Sequence, residues 1–378
     1  MIKTLTRILL ILALAATACQ PKGNVTLQDF TLELYKPQYA SGFEIIGAEG
    51  RESSILRIHN PWQGAEDITT NLFIARNGEP TPAGFEGQVI DGDIERVICM
   101  SSSHVAMFDA ISEIERVVGV SGKYFISNEY VSANESVLDV GYDSEANYEL
   151  IVALDPDIVL LYGITGASTI ENKLRELRIP YAYIGEYLEE APLGKTEWMV
   201  AVGEIIGQRE KAEQIFQQIP VRYTRLKEAA AAATSAKPKV MINTPYADSW
   251  VMASTSSYVA RLIADAGGDY IYRKNTSNSS MPIDLEEAAR LSAEADVWIN
   301  VGSLTSLSDM RRQFPKFADT PCVVKGEVYN CDKRSEPGRG NDYWESGIVN
   351  PDIVLRDLIK IFHPEVINEE FVYYRQLK

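Results

Sequence analysis

From residue 96 onward, short apolar runs bounded by polar or glycine-containing loops alternate with stretches whose apolar residues recur at helical spacing. Val97–Met100, Val117–Val120, Ile158–Tyr162 and Tyr181–Ile184 read as strands, because unbroken apolar runs of this length suit strands covered on both faces. Val105–Ile114, the segment ending in Leu150–Leu154, and Ile170–Leu177 read as the helices between them. Strand alternating with helix predicts an α/β lobe with a largely parallel sheet over residues 96–194. Residues 195–236 form a connecting helical segment, with Trp198, Val202, Ile205 and Ile206, then Ala212, Ile215, Phe216 and Ile219, at helical spacing. Gly207 and Pro220 interrupt it, and Pro220 is expected to kink or restart the helix because it lacks an amide hydrogen. A second α/β block occupies residues 237–378, with strands at Val240–Asn243 and Val297–Val301 and helices at Tyr258–Ala266, Leu285–Leu291 and Asp352–Phe362.

Ahead of these lobes, residues 31–95 alternate polar and apolar positions in short runs and read as a small β-rich extension, with Asn77-Gly78 as a hairpin turn. Residues 1–18 combine the basic Lys3 and Arg7, the apolar run Ile8–Ala16, too short to span a bilayer comfortably, and the small residues Ala16-Thr17-Ala18 before Cys19. That order is a secretory signal, and a cysteine after small residues resembles the bacterial lipobox, with Cys19 lipidated and residues 19–30 as anchor and tether. The alternative is an ordinary export signal with an incidental cysteine.

Export changes the reading of the remaining cysteines. Cys322 and Cys331 lie close in sequence across Lys325-Gly326-Glu327, and a disulfide between them is one expectation in an oxidising compartment. Cys99, in an apolar strand, reads as a buried structural thiol. The formal charge of -17, which becomes -19 when Lys3 and Arg7 leave with the signal, argues against a nucleic-acid partner, which requires a basic face. Three histidines leave little room for a multi-histidine metal centre, and no metal site is assigned.

The two blocks echo each other. Glu149 through Leu161 runs helix end, turn, buried strand, and Glu286 through Trp298 runs in the same order. With this echo, Arg96-Val-Ile-Cys-Met-Ser-Ser-Ser103, Val117-Val-Gly-Val-Ser121, Tyr148-Glu-Leu-Ile-Val-Ala-Leu-Asp-Pro-Asp-Ile-Val159, Lys173–Tyr181, Gly203-Glu-Ile-Ile-Gly207 and Ala266-Gly-Gly-Asp269 together resemble the iron-complex and cobalamin solute-binding proteins of bacterial ABC importers, over about residues 96–362. The resemblance implies two Rossmann-like lobes joined by a rigid helix and a shallow cleft that closes little. It further implies docking onto a permease dimer, with its ATPase, through one glutamate per lobe, here Glu149 and Glu286, with Glu287 as a substitute for the latter. Residues 31–95 lie outside the family core. Pro220 departs from the unbroken helix of the family, which weakens the expectation of rigidity.

In two-lobed α/β proteins, ligands meet loops at the C-terminal ends of strands. Ser102, Ser103 and His104 stand there at a helix start, where plain N-capping is the competing role for the serines and a structural place the competing role for the imidazole. Tyr124, Tyr142, Tyr162, Tyr246, Trp250, Tyr343 and Trp344 offer the flat apolar area that corrins, porphyrins and chelates present to a binding site, against the alternative that aromatics fill the core. Arg339, near Lys333 and Arg334, is the cationic candidate for a carboxylate, phosphate or catecholate; the surrounding Gly338–Asp342 lacks the pattern of a nucleotide loop.

The reading is therefore a non-enzymatic, lipid-anchored solute-binding protein at the periplasmic face of the cell membrane. It has no cofactor of its own, and it carries a metal chelate (siderophore or haem) or a corrinoid. The cationic cluster is small beside the many aromatics, which favours a corrinoid or neutral chelate over an anionic catecholate. An exported scaffold that uses residues 31–95 for interaction, and an exported enzyme on the same architecture, are the alternatives. The sequence contains no G-x-S-x-G, P-loop, H-E-x-x-H or C-x-x-C motif for the latter.

Overall fold

A computed structural model describes residues 25–164, 166–233, 236–277, 279–336 and 339–378. The export signal and Cys19 lie outside the described residues. Among the described residues, eighteen strands build three five-stranded sheets and one three-stranded sheet.

The first lobe is a wholly parallel sheet of β6 (Val97–Cys99), β7 (Val117–Val120), β8 (Leu138–Asp139), β9 (Ile158–Leu161) and β10 (Tyr181–Tyr183), in the order β10-β9-β6-β7-β8. Every residue of β6, β9 and β10 is buried, as their continuous apolar runs require of strands with helices on both faces. The second lobe orders β14 (Asp269–Tyr270), β11 (Lys239–Ile242), β16 (Val297–Ile299), β17 (Val328–Asn330) and β18 (Arg375–Gln376), with only β18 antiparallel. Counted within each lobe, the strand orders are 3-2-1-4-5 and 2-1-3-4-5, two variants of the doubly wound sheet. The sequence echo is real at one unit: β9 and β16, each following a helix that begins at Tyr148 or Leu285, both pair with the first strand of their lobe. A small sheet of β12 (Pro245–Tyr246), β13 (Ser249–Met252) and β15 (Met281–Asp284) is added above lobe two.

The connecting segment is two helices, Pro192–Ile205 and Arg209–Ala233. The break falls at Gly207, whose φ of +73° is the left-handed conformation glycine adopts without steric cost. Pro220 does not break the second helix, contrary to expectation; the helix continues through it, about 37 Å long at 1.5 Å per residue. Packing outweighs the one lost backbone bond, because Phe216, Ile219, Tyr223 and Ala230 are all buried along it. The first helix is buried at every residue and forms the beam of the molecule. A Cβ on Gly203 would stand 2.6 Å from the Cβ of Ala212, so this glycine lets the two helices touch.

The extension is a five-stranded sheet: β1 (Leu32–Tyr35), β2 (Phe43–Gly47), β3 (Ser54–His59), β4 (Thr69–Ala75) and β5 (Gln88–Asp91). Asn77 and Gly78 both have positive φ, as the turn reading requires. They do not close a hairpin, however, since the chain travels back and β5 pairs parallel to β4. Alternation along the strands points Phe43, Ile45, Leu56, Ile58, Leu72 and Ile74 into the core shared with lobe one, and Ile46, Ile55 and Phe73 into a separate small core. The beam helix ties the sheet down through buried carboxylates. Glu197 accepts from the Tyr35 hydroxyl and the Gln38, Tyr39 and Ala40 amides at 2.7–2.8 Å. Just ahead of the beam, Glu189 accepts from the Ser41 and Gly42 amides and the Trp198 indole. Residues 31–95 are thus built into the body of the protein.

Candidate functional site between the lobes

The C-terminal end of β6 turns into the helix Ser102–Ala110 at the strand-order switch of lobe one. Facing it across the seam are Ser254, Ser256, Ser257 and Tyr258 of lobe two, which follow β13. Between them lies a cavity of about 480 Å³, closed on its other sides by Glu186–Glu190, Lys195, Trp344 and Ile348. This size is within the range of small-molecule sites. Ser101 is the N-cap residue, yet its hydroxyl makes no capping bond; it lies 2.8 Å from the Ser103 hydroxyl.

The floor is a buried polar cluster. Ser103 Oγ donates to Glu186 Oε1. Glu186 Oε2 has no hydrogen-bond partner, and burial raises this carboxyl above its ordinary range. His104 Nε2 lies 3.9 Å from Glu186, and neither ring nitrogen has a hydrogen-bond partner. The ring is completely buried, which lowers its pKa to about 3 against a weaker pull from the Leu160 carbonyl. Lys195 Nζ donates to the Glu186 and Tyr187 carbonyls at 3.1 and 3.0 Å and sits 5.2 Å from the Tyr258 ring centroid. Burial lowers Lys195 to about 8, with Glu186 and Glu189 opposing. At the rim, Glu190 is taken by Ser256 at 2.6 Å and Arg261 at 2.9 Å. Ser103 bonds a carboxylate and His104 bonds nothing, so these residues do not form a nucleophile–base pair. Hydroxyls that can both donate and accept, beside one half-exposed indole, make a surface for a polar ligand with an apolar face.

Among the sequence candidates, the cavity gathers Ser102, Ser103 and Trp344, which is 50% exposed at its mouth. His104 lies beneath the floor, because it points into the core side of its helix, and it cannot reach a ligand as placed. Trp250 is fully buried, donating to the Ile242 carbonyl and packed on Trp298 and Phe317, and Tyr343 is buried against Tyr373 and Tyr374. Both are core residues: β13 folds Trp250 back over β11, and the short turn Asp342–Trp344 buries Tyr343 while Trp344, packed edge-on to it at 4.6 Å, stays half-exposed. Tyr246 is 81% exposed on the tip of β12 and is not among the residues lining the inter-lobe cavity. The half-exposed Tyr142 and the half-buried Tyr162 are not among the residues lining the inter-lobe cavity.

Arg339 belongs to a second part of the seam. It stacks over the Tyr124 ring at 5.3 Å, and Glu345 beside it accepts the amides of Ser127 and Asn128 at 2.7 Å each. Burial raises Glu345 to about 7. These contacts join the lobes next to a polar cavity of about 640 Å³.

Cys322 and Cys331 are free and buried, without the disulfide expected. Cys322 lies in the helix Pro321–Lys325 near the Thr320 hydroxyl, and Cys331, just past β17, accepts from Asn341, so each thiol has a separate neighbour. Glu149 and Glu286 are exposed, each at the second residue of its helix. Glu287 is engaged by Lys274 at 2.5 Å, which leaves Glu286 as the accessible acid. Sequence reasoning missed Glu186, Lys195, Tyr258 and the serines at 254–257. A serine-rich loop, Ala253-Ser-Thr-Ser-Ser257, was the available signal.

A relative from Methanocaldococcus jannaschii, described as an uncharacterised lipoprotein, is 29% identical over 334 residues, covering 82% of this chain and 78% of its own. A cobalamin-binding protein of Halobacterium salinarum is 26% identical over 211 residues, 55% of this chain and 54% of its own. Among solved structures, a periplasmic haem-binding protein from Pseudomonas aeruginosa superposes with a TM-score of 0.60 at 18% identity, covering 75% of this chain and 98% of the other. A siderophore-binding protein from Vibrio cholerae holding Fe3+–Desferal superposes at 0.53 with 16% identity, covering 71% and 100%. The family model described as periplasmic binding protein matches residues 97–335, from β6 through β17, and the chain belongs to that family.

Proposed function

We propose that this protein captures a corrinoid or a neutral metal chelate in the inter-lobe cleft and delivers it to an ABC importer, while anchored to the membrane through Cys19. The observation that carries the reading is the 480 Å³ cavity where the switch point of lobe one faces the Ser254–Tyr258 segment. Its one enclosed cation, Lys195, is spent on main-chain carbonyls, and Arg261 at the rim is spent on Glu190. A polyanionic catecholate would find no uncommitted charge among these residues, whereas hydroxyls and carboxylates suit the amide groups of a corrinoid. The cobalamin-binding and lipoprotein relatives support the ligand class and the anchor, and the haem- and siderophore-binding neighbours support the fold on which such ligands are held.

Tryptophan fluorescence tests this directly. Trp198, Trp250 and Trp298 are buried, which leaves the half-exposed Trp344 and the half-buried Trp62 as the indoles that a cleft ligand can reach. Cyanocobalamin should quench the emission saturably at one equivalent, and Trp344→Phe should remove the part of the change that arises at the cleft mouth. If cyanocobalamin, haem and ferric hydroxamate all leave both emission and heat of mixing unaltered, the proposal fails.

A further inference from the structure

The family match begins at residue 97, so the β-rich extension is additional to the shared architecture. Its loop between β3 and β4 does not face away from the cleft. A second cavity, of about 490 Å³, is bounded by Asn60, Trp62 and Gln63 of that loop, by the Tyr187–Glu189 segment of lobe one and by Ser279 and Ser280 of lobe two. Tyr187, Leu188, Glu189 and Ser280 also line the cleft cavity, so the two spaces share a wall.

The loop is held firmly against that wall. The Gln63 amide hydrogen points to the Gly163 carbonyl at 3.3 Å and the Tyr187 hydroxyl at 3.2 Å, and the Tyr187 hydroxyl itself donates to Gly163. The Trp62 ring packs edge-on to Tyr183 at 5.3 Å between centroids. Glu189, beneath, is saturated by the Ser41 and Gly42 amides and the Trp198 indole. Two groups are left uncommitted in this otherwise satisfied corner: the Gln63 side-chain amide, which is exposed, and the indole nitrogen of the half-buried Trp62, neither with a hydrogen-bond partner among the described residues. An aromatic plane beside a free amide recognises a planar heterocycle with polar edges.

We propose that the extension forms a third wall of the ligand site, in which Trp62 and Gln63 receive the base-bearing polar arm of a corrinoid whose ring lies in the inter-lobe cleft. The inference rests on the corrinoid form of the function proposed above. It makes Trp62 and Gln63 determinants of specificity for the arm, while the serines and Trp344 serve the ring.

The test compares cyanocobalamin with dicyanocobinamide, the same corrin without its nucleotide arm, by calorimetry on the full-length protein. The wild type should bind cobalamin at least about tenfold tighter than cobinamide, the scale of one good aromatic and hydrogen-bond contact. Trp62→Ala and Gln63→Ala should each shrink that preference and leave cobinamide affinity unchanged. Trp62 also packs on Tyr183, so Ser279→Tyr provides a second route: the half-buried Ser279 lines this cavity and not the cleft cavity, and a bulky ring there should exclude the arm without touching the loop. Equal wild-type affinity for both corrinoids, or a full preference kept by all three variants, overturns the third wall. If Trp344→Ala then weakens both corrinoids alike, the cleft reading survives without it. Failure of the wild type to bind either corrinoid overturns the third wall together with the corrinoid reading.

Discussion

His104 shows how a residue chosen for its chemistry can be kept for something else. It is wholly buried, with its pKa lowered to about 3 from the ordinary 6.5, because burial penalises the charged ring. The unfolded chain takes up a proton as pH falls through 6.5, and the folded one does so only near 3. The unfolded state binds more protons in that window, so stability falls as the solution is acidified from 6.5 toward 3. Glu186, 3.9 Å away, acts in the opposite sense, since its raised carboxyl is protonated earlier in the folded state. The isolated contribution of His104 is therefore the difference between wild type and His104→Leu. The variant should hold its urea midpoint better between pH 7 and pH 4 than the wild type does. At pH 7 it should lose little, because the imidazole nitrogens make no hydrogen bond that the leucine removes. A parallel decline in both proteins would show that the ring does not set the acid limb. Lys195 contributes at the other end of the scale. Its value near 8 lies below the ordinary 10.5, so stability gains as pH rises between the two, and Lys195→Met should remove that gain.

At the scale of elements, helix propensity alone predicts that alanine improves both Gly203 and Pro220. The packing separates them. Gly203 lies where a Cβ would stand 2.6 Å from Ala212, so Gly203→Ala forces the two connecting helices apart and should cost about 1–3 kcal/mol by overpacking. Pro220 sits inside a continuous helix that has lost one backbone bond to it, and Pro220→Ala should stabilise by up to about 3 kcal/mol. Opposite shifts of the denaturation midpoint check both; a gain from each would mean that the helices are loosely packed. This contrast also marks what could be read from the sequence. The alternation of strands and helices was visible because each apolar run is locally complete, and β6, β9, β11 and β16 fall where the runs do. The interior of the loops was not. Trp250 and Tyr343 look like loop aromatics until β13 and the Asp342–Trp344 turn fold them inward. Lys195 and Glu186 occupy helical positions of no distinctive pattern, and their importance arises only where the beam helix passes under the cleft. The extension read correctly as β-rich, but the parallel return of β5 onto β4 has no local turn signal, and the carboxylate ties to Glu189 and Glu197 depend on partners more than 100 residues away.

Across the whole molecule, the outer ends of the two lobes carry the remaining functional expectation. Glu149 and Glu286 occupy the same position in helices that precede equivalent strands. Neither is needed to start its helix. Asn147 accepts from the Leu150 amide at 3.0 Å and Asp284 from the Glu287 amide at 2.7 Å, so the caps are complete without them. Neither glutamate makes an ion pair among the described residues, while the neighbouring Glu287 is held by Lys274. Free carboxylates placed equivalently on both lobes are what a two-fold receptor with basic sockets would engage, and the lobes are held in fixed relation by Thr196 on Ile348 and by Glu345 on Ser127 and Asn128. Reversing both, as Glu149→Arg with Glu286→Arg, should leave ligand affinity and thermal stability essentially unchanged, because exposed substitutions of this kind shift stability by roughly 0.5 kcal/mol or less. The same pair should abolish the stimulation of ATP hydrolysis by the cognate importer reconstituted in proteoliposomes, with each single reversal falling between. A double variant that stimulates the importer as the wild type does would place the docking surface elsewhere, and loss of ligand binding would assign these glutamates to the fold or the cleft instead.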